Sequence, residues 1–202
     1  MEDEQRWVAQ ALQGDQRAFT HLVERYQTPV YNLCYRMLGN APEAEDAAQE
    51  TFVRVYKHLT AYDAQQKLSS WVLAIASHHC IDRLRRRRIT WLSLEDVLPV
   101  RAQIDDTVRP EETAEEHESS AEVRDLMQEL PPDYRLVITL RYWQDLSYIE
   151  IAQIVGSTES AVKSRLHRAR RMMAQQILSQ GKLETVPCQV PQGKRVTDNA
   201  ML

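Results

Sequence analysis

Two helical hydrophobic periods that meet at a glycine, in SYIEIAQIVGSTESAVKSRLHRARRMM, constrain this chain more than any other feature. Ile151, Ala152 and Val155 form one apolar face, and the small Ala152 lets a second helix cross closely. Gly156 suits the left-handed position that ends a helix. Ser157 or Thr158 can cap the next helix, and Glu159 complements the dipole of its first turn. In that helix Val162, Leu166, Ala169 and Met173 share one face. Ser160, Lys163, Ser164, His167, Arg168 and Arg171 share the other. The pattern is a helix-turn-helix, with its turn at Gly156 to Thr158 and its second helix over Glu159 to Met173. Short hydroxyls beside long cations let such a helix enter a DNA major groove, with the cations available to guanine edges or phosphates.

The rest of the chain is predicted to be helical as well. Its 202 residues are 43% apolar, which supports a core, and hold only eight prolines and five glycines. From Trp7 to Arg88 apolar residues recur at steps of three and four, as in Phe19, Leu22, Val23, Tyr26, Val30, Leu33, Cys34, Met37 and Leu38. Pro29 separates or kinks that pair of helices; Gly39, Asn40 and Pro42 close the second and open a third running to about Leu59. The polar stretch Asp63 to Ser70 precedes a fourth helix, Trp71 to Arg88, which ends in arginines. In the third helix Ala44, Ala47, Ala48, Phe52, Val55 and Tyr56 are placed toward the core, opposite Asp46, Gln49, Glu50 and Arg54. Residues 91–120 are acidic, weakly periodic and interrupted by Pro99 and Pro110, the composition of a tether. A second helical domain then spans 121–180, and 181–202 reads as a disordered tail. The expected fold is all-α: two small helical domains joined by an acidic flexible linker.

The net charge of −4 conceals an asymmetry, because Arg83, Arg85, Arg86, Arg87 and Arg88 are grouped while the tether is acidic. Phosphate neutralisation is local, so this balance is compatible with nucleic-acid binding. Three widely spaced cysteines, with no CxxC pair, indicate neither a disulfide framework nor a zinc site. His78, His79 and Cys80 are consecutive on a helix, point about 100° apart and cannot converge on one ion. With no phosphate-binding glycine loop and no nucleophile motif, no enzyme, metal or cofactor is implied. No apolar run reaches the roughly 20 residues of a membrane span, and the start lacks signal-peptide order, so a cytoplasmic protein without membrane insertion is expected.

Five segments, YQTPVYNLCYRMLGN, EDAAQETFVRVYKHL, WVLAIASHHCIDRLRRRR, LPPDYRLVITLRYWQDLSYIEIAQIVG and ESAVKSRLHRARRMM, together resemble the extracytoplasmic-function (ECF) group of bacterial sigma factors, over Arg17 to about Ile177. The resemblance implies that residues 1–90 are sigma region 2 and 121–180 region 4, without a region 3 domain between them. It implies that Asp46, Gln49, Glu50 and Arg54 dock on the clamp coiled coil of the largest core RNA polymerase subunit. It implies that the Tyr62 to Ser70 loop and the following helix, with His78, His79, Arg83, Arg85, Arg86, Arg87 and Arg88, read and melt the minus-10 element. Region 4 would read the minus-35 element through Ser160, Lys163, Ser164, His167, Arg168 and Arg171, and touch the flap of the second-largest subunit through its apolar surface. An anti-sigma factor and a stress or envelope response are implied in the same way. Where the family often carries Asn in I-A-x-N-x-x-I-D, this chain has His78, which bears on base preference. The alternative is a stand-alone two-domain helix-turn-helix regulator, which explains the second domain but not the first.

Overall fold

The computed structural model describes residues 2–92 and 114–179, and among these every regular element is helical. The elements are α1 (Glu2–Leu12), α2 (Gln16–Leu38), α3 (Ala41–His58), a 3-10 turn (Leu59–Ala61), α4 (Leu68–Leu92), α5 (Ala114–Glu129), α6 (Pro132–Tyr142), α7 (Tyr148–Ile154) and α8 (Glu159–Ser179). The first domain places α2 at its centre, against α1, α3 and α4. In the second, α8 packs across α5, α6 and α7.

Capping residues set several boundaries. Asp15 accepts from the Arg17 and Ala18 amides to start α2, and Asn40 accepts from the Glu43 amide to start α3. Gly39 ends α2 at φ +74°, its amide returning to the Tyr35 carbonyl. Ser147 and Glu150 form a reciprocal capping box at the start of α7.

Two expectations are corrected. Pro29 does not separate two helices, because α2 runs through it. An internal proline costs about 3 kcal/mol, but Tyr26, Val30, Leu33, Cys34 and Met37 keep one buried face across it. Each large apolar side chain so buried contributes roughly 1.5–3 kcal/mol, so burial outweighs the lost hydrogen bond. The polar start forms α1, whose Val8 and Ala11 join the core. The tether is shorter than expected, because α5 already begins at Ala114. The expected tail, 181–202, and residues 93–113 of the tether lie outside the described residues.

The two bundles share one continuous hydrophobic cluster, from Val8 through Ala76 to Leu140 and Ala169. The second half of α2 touches α5 and α6, and α4 touches α6 and α7.

Candidate nucleic-acid and polymerase interfaces

The helix-turn-helix forms as its residues dictate. Gly156 adopts φ +60° between α7 and α8, and the Thr158 hydroxyl accepts from the Ala161 amide. Ile151, Ile154, Val162, Leu166 and Ala169 are buried where α7 crosses α8. Ser160, Lys163, Ser164, His167, Arg168 and Arg171 are all exposed along the outer side of α8. Lys163 holds Glu159 at 2.6 Å, which raises its pKa, and its ammonium lies 5.4 Å from the Tyr148 ring. Arg170, absent from the expected set, is exposed too and donates to the Leu166 carbonyl. A face with so many outward cations attracts phosphate over its whole length.

On α3, Asp46 and Gln49 are exposed, whereas Glu50 and Arg54 are half-buried and paired at 2.9 Å. That Arg54 hydrogen bond holds the Glu50 carboxyl below its ordinary pKa. Tyr56 was expected toward the core but is 53% exposed, and Val53 is 44% exposed. With Phe19, Val23, Gln49, Phe52 and Lys57 they line an apolar groove of about 400 Å³. The Phe19 and Tyr56 rings meet edge to face at 5.0 Å. The signal was in the sequence: Val53 continues the Asp46, Gln49, Glu50 row at helical spacing. Apolar type, read alone, assigned Tyr56 to the wrong side.

The loop before α4 is tied into a defined turn. Tyr62 donates to the Gln66 carbonyl at 2.7 Å, and Asp63 accepts from the Gln65 amide at 2.9 Å. Trp71 is half-buried against the core, its ring 5.3 Å from that of Tyr62. Beside the loop opens a cleft of about 600 Å³, walled by Glu4, Arg25, Tyr26, Tyr62 and residues 64–69. Tyr26 donates to Glu4 at 2.8 Å, and burial together with that bond raises its pKa.

Along α4 the expected residues divide. His78 and Arg85 are exposed, as is Arg86, while Arg83 and Arg87 are half-buried and directed at acids of α3. Arg83 lies 4.0 Å from Asp46, and Arg87 pairs with Glu43. Arg88 continues the same helix. His79 is only 8% exposed, and burial, then Arg54 and Arg83, push its pKa down, so it is held neutral. Cys34 and Cys80 are both fully buried, and the hydrogen bond between them, followed by burial, raises the Cys80 thiol pKa. Among the described residues no helix is long and apolar enough to cross a membrane.

Comparison with known proteins agrees with this geometry. Residues 22–89 match the family profile described as Sigma-70 region 2, and 120–173 that described as Sigma-70, region 4. The chain is 39% identical to the ECF RNA polymerase sigma factor SigW of Bacillus subtilis, over 84% of this chain and 94% of that one. It is 33% identical to the RNA polymerase sigma-H factor of Pseudomonas aeruginosa, over 84% and 91% of the two chains. Among solved structures it is similar to CnrH in complex with the cytosolic domain of CnrY, with a TM-score of 0.63 and 25% identity over 88% of this chain and 98% of that one.

Proposed function

Since the chain belongs to the ECF group of the sigma-70 family, we infer that it is a promoter-specificity subunit whose two basic helices read separate elements for core RNA polymerase. It is an initiation factor and not an enzyme. The observation that carries the assignment is the joint presence of an outward basic α8 on a helix-turn-helix and a half-apolar α3 face in the other domain. A stand-alone regulator has no use for the second.

Asp46, Gln49, Glu50 and Arg54, with the groove at Phe52, Val53 and Tyr56, form the surface offered to the clamp coiled coil of the largest polymerase subunit. Apolar side chains rimmed by fixed charges suit a helical partner. The exposed Tyr142 and Ile149 provide region 4 with apolar surface for the flap of the second-largest subunit.

The 62–70 loop and its cleft receive an unstacked minus-10 base, flanked by His78 and the cationic track of Arg83, Arg85, Arg86, Arg87 and Arg88. Cations follow the phosphates of the single strand, and a cleft beside them replaces the lost stacking. His79 acts from beneath, as a neutral spacer between Arg54 and Arg83. Ser160, Lys163, Ser164, His167, Arg168 and Arg171 enter the minus-35 major groove.

Control by an anti-sigma protein, in a stress or envelope response, is part of the same reading. The similar CnrH was solved in complex with the cytosolic domain of CnrY, so a chain of this fold can be held by a separate protein. Residues 1–90 thus act as region 2 and 121–180 as region 4, with the linker between them ending where α5 begins at Ala114, in a cytoplasmic protein. Run-off transcription with purified core polymerase on a promoter library tests the reading. Initiation at a defined promoter class only when this protein is added is expected. Tight duplex binding by the free protein without any initiation would leave the stand-alone regulator in its place.

A further inference from the structure

One wall of the loop cleft lies outside the matched family profile. The region 2 match begins at residue 22, whereas Glu4, Gln5 and Val8 of α1 close one side of the cleft. The remaining walls come from Arg25, Tyr26 and Pro29 of α2, from Tyr62 and from residues 64–69. The polar start of the chain therefore brings a carboxylate to the loop.

Glu4 is held there by its neighbours. Tyr26, only 6% exposed, donates its hydroxyl to Glu4 Oε1 at 2.8 Å. Burial and this bond raise the Tyr26 pKa, so the phenol stays protonated and keeps donating. Arg25 Nε stands 3.9 Å from the same oxygen, on a side chain that is largely exposed. Burial, then the charge of Glu4, raises the Tyr62 pKa, which sets the carboxylate near the tyrosine of the loop as well. Among the described residues, the second oxygen, Oε2, takes no hydrogen bond. One oxygen is anchored and the other is open to an occupant of the cleft.

A base drawn out of its stack is recognised by flat surface against its faces and by hydrogen bonds to its edge. The Tyr62 and Pro29 rings supply surface, and the exposed Arg25 is available to the sugar-phosphate. Glu4 supplies the edge contact. An ionised carboxylate only accepts hydrogen bonds. It therefore favours a base with an exocyclic amine, which adenine, cytosine and guanine carry. Thymine has no amine, and its one imide N–H lies between two keto oxygens that a carboxylate repels.

We propose that Glu4 is a specificity-determining residue of the loop cleft, whose open carboxylate oxygen selects an amine-bearing base at one minus-10 position and rejects thymine there. The proposal rests on the promoter reading above, which assigns a base to this cleft.

Run-off transcription by core polymerase with the full-length protein, on a promoter carrying each of the four bases in turn at every minus-10 position, reads this selection. At one position the parent is expected to use an amine-bearing base about tenfold better than thymine. Glu4→Gln keeps an oxygen for the Tyr26 hydroxyl and turns its amide nitrogen, a donor, into the cleft. It should fold as the parent does and use thymine at that position at least as well as the base the parent prefers. Removing only the amine, with purine for adenine, 2-pyrimidinone for cytosine or hypoxanthine for guanine, identifies the base. That deletion should cost the parent about tenfold and Glu4→Gln almost nothing, a coupling that a merely structural role for Glu4 does not produce. Unchanged base preference of Glu4→Gln at every minus-10 position, or an equal penalty for amine removal in both proteins, would overturn the proposal and leave the promoter reading standing. Failure of the parent to initiate on any template would overturn the promoter reading itself, and the assignment of Glu4 with it.

Discussion

The two basic helices carry similar charge and hold it in different ways. On α4, Arg83 and Arg87 are half-buried and turned toward Asp46 and Glu43, acids of the neighbouring helix. On α8, His167, Arg168 and Arg171 stand exposed above an apolar seam of Val162, Leu166 and Ala169. The difference teaches that α4 is part of the scaffold that presents the α3 face, whereas the outer side of α8 can change without disturbing what lies beneath. Melting needs cations held in a fixed frame beside a cleft. Groove reading needs cations that reach.

That contrast can be broken most severely on α3. Replacing Asp46, Gln49 and Glu50 together by Ala should weaken binding to core polymerase by about 3 kcal/mol or more, while thermal unfolding stays close to that of the parent. Equal polymerase affinity in a sedimentation or fluorescence titration would remove the docking assignment. Lys163→Ala with Arg168→Ala should weaken promoter complexes by about 2 kcal/mol and lower the salt slope by roughly 2, since each cation releases about one counterion. A slope that does not move would mean neither side chain meets DNA.

A sharper comparison sets Arg87→Ala against Arg168→Ala. Loss of Arg87 removes the partner of half-buried Glu43 and should cost about 1 kcal/mol in denaturant unfolding, whereas Arg168→Ala should stay within ±0.5 kcal/mol. Equal costs would erase the distinction between the helices. The smallest effect concerns pH. Glu150 has its pKa lowered to about 2, first by Lys67 and then by Ser147. A lowered carboxyl pKa stabilises the folded state above the ordinary carboxylate range and loses that stabilisation as pH falls toward the folded value. Lys67 is largely exposed, so the screened contribution is about 0.5 kcal/mol. The advantage of the parent over Glu150→Gln in thermal unfolding should therefore fade between pH ~5 and ~2. An advantage constant across that range would rule out the ion pair as its source.

Much of the second domain was legible in the sequence because one glycine and two short apolar periods admit few other structures. The first domain was less so. Pro29 reads locally as a break, and only the buried face on both sides of it explains a continuous α2. Tyr56 is apolar enough to be assigned inward, yet its position beside the Asp46 to Val53 row puts it in the groove. Glu4 and Val8 were not expected in the walls of the loop cleft, because a polar start gives little sign of a helix. The contacts between the domains had no sequence signature. Arg135, Gln128 and Gln144 donate to backbone carbonyls of α2, and a carbonyl acceptor is present at every residue.

The central claim, that two separated ends read two promoter elements only within the polymerase complex, is tested most directly by promoter selection from a randomised library. The parent, His78→Asn and the Lys163→Ala, Arg168→Ala variant would each be assayed with core enzyme and alone. The account predicts that His78→Asn changes the selected minus-10 sequence and leaves minus-35 intact, that the α8 variant does the reverse, and that none selects a promoter unaided. Both variants altering the same element, or the free protein selecting the same sequences as the holoenzyme, would contradict it.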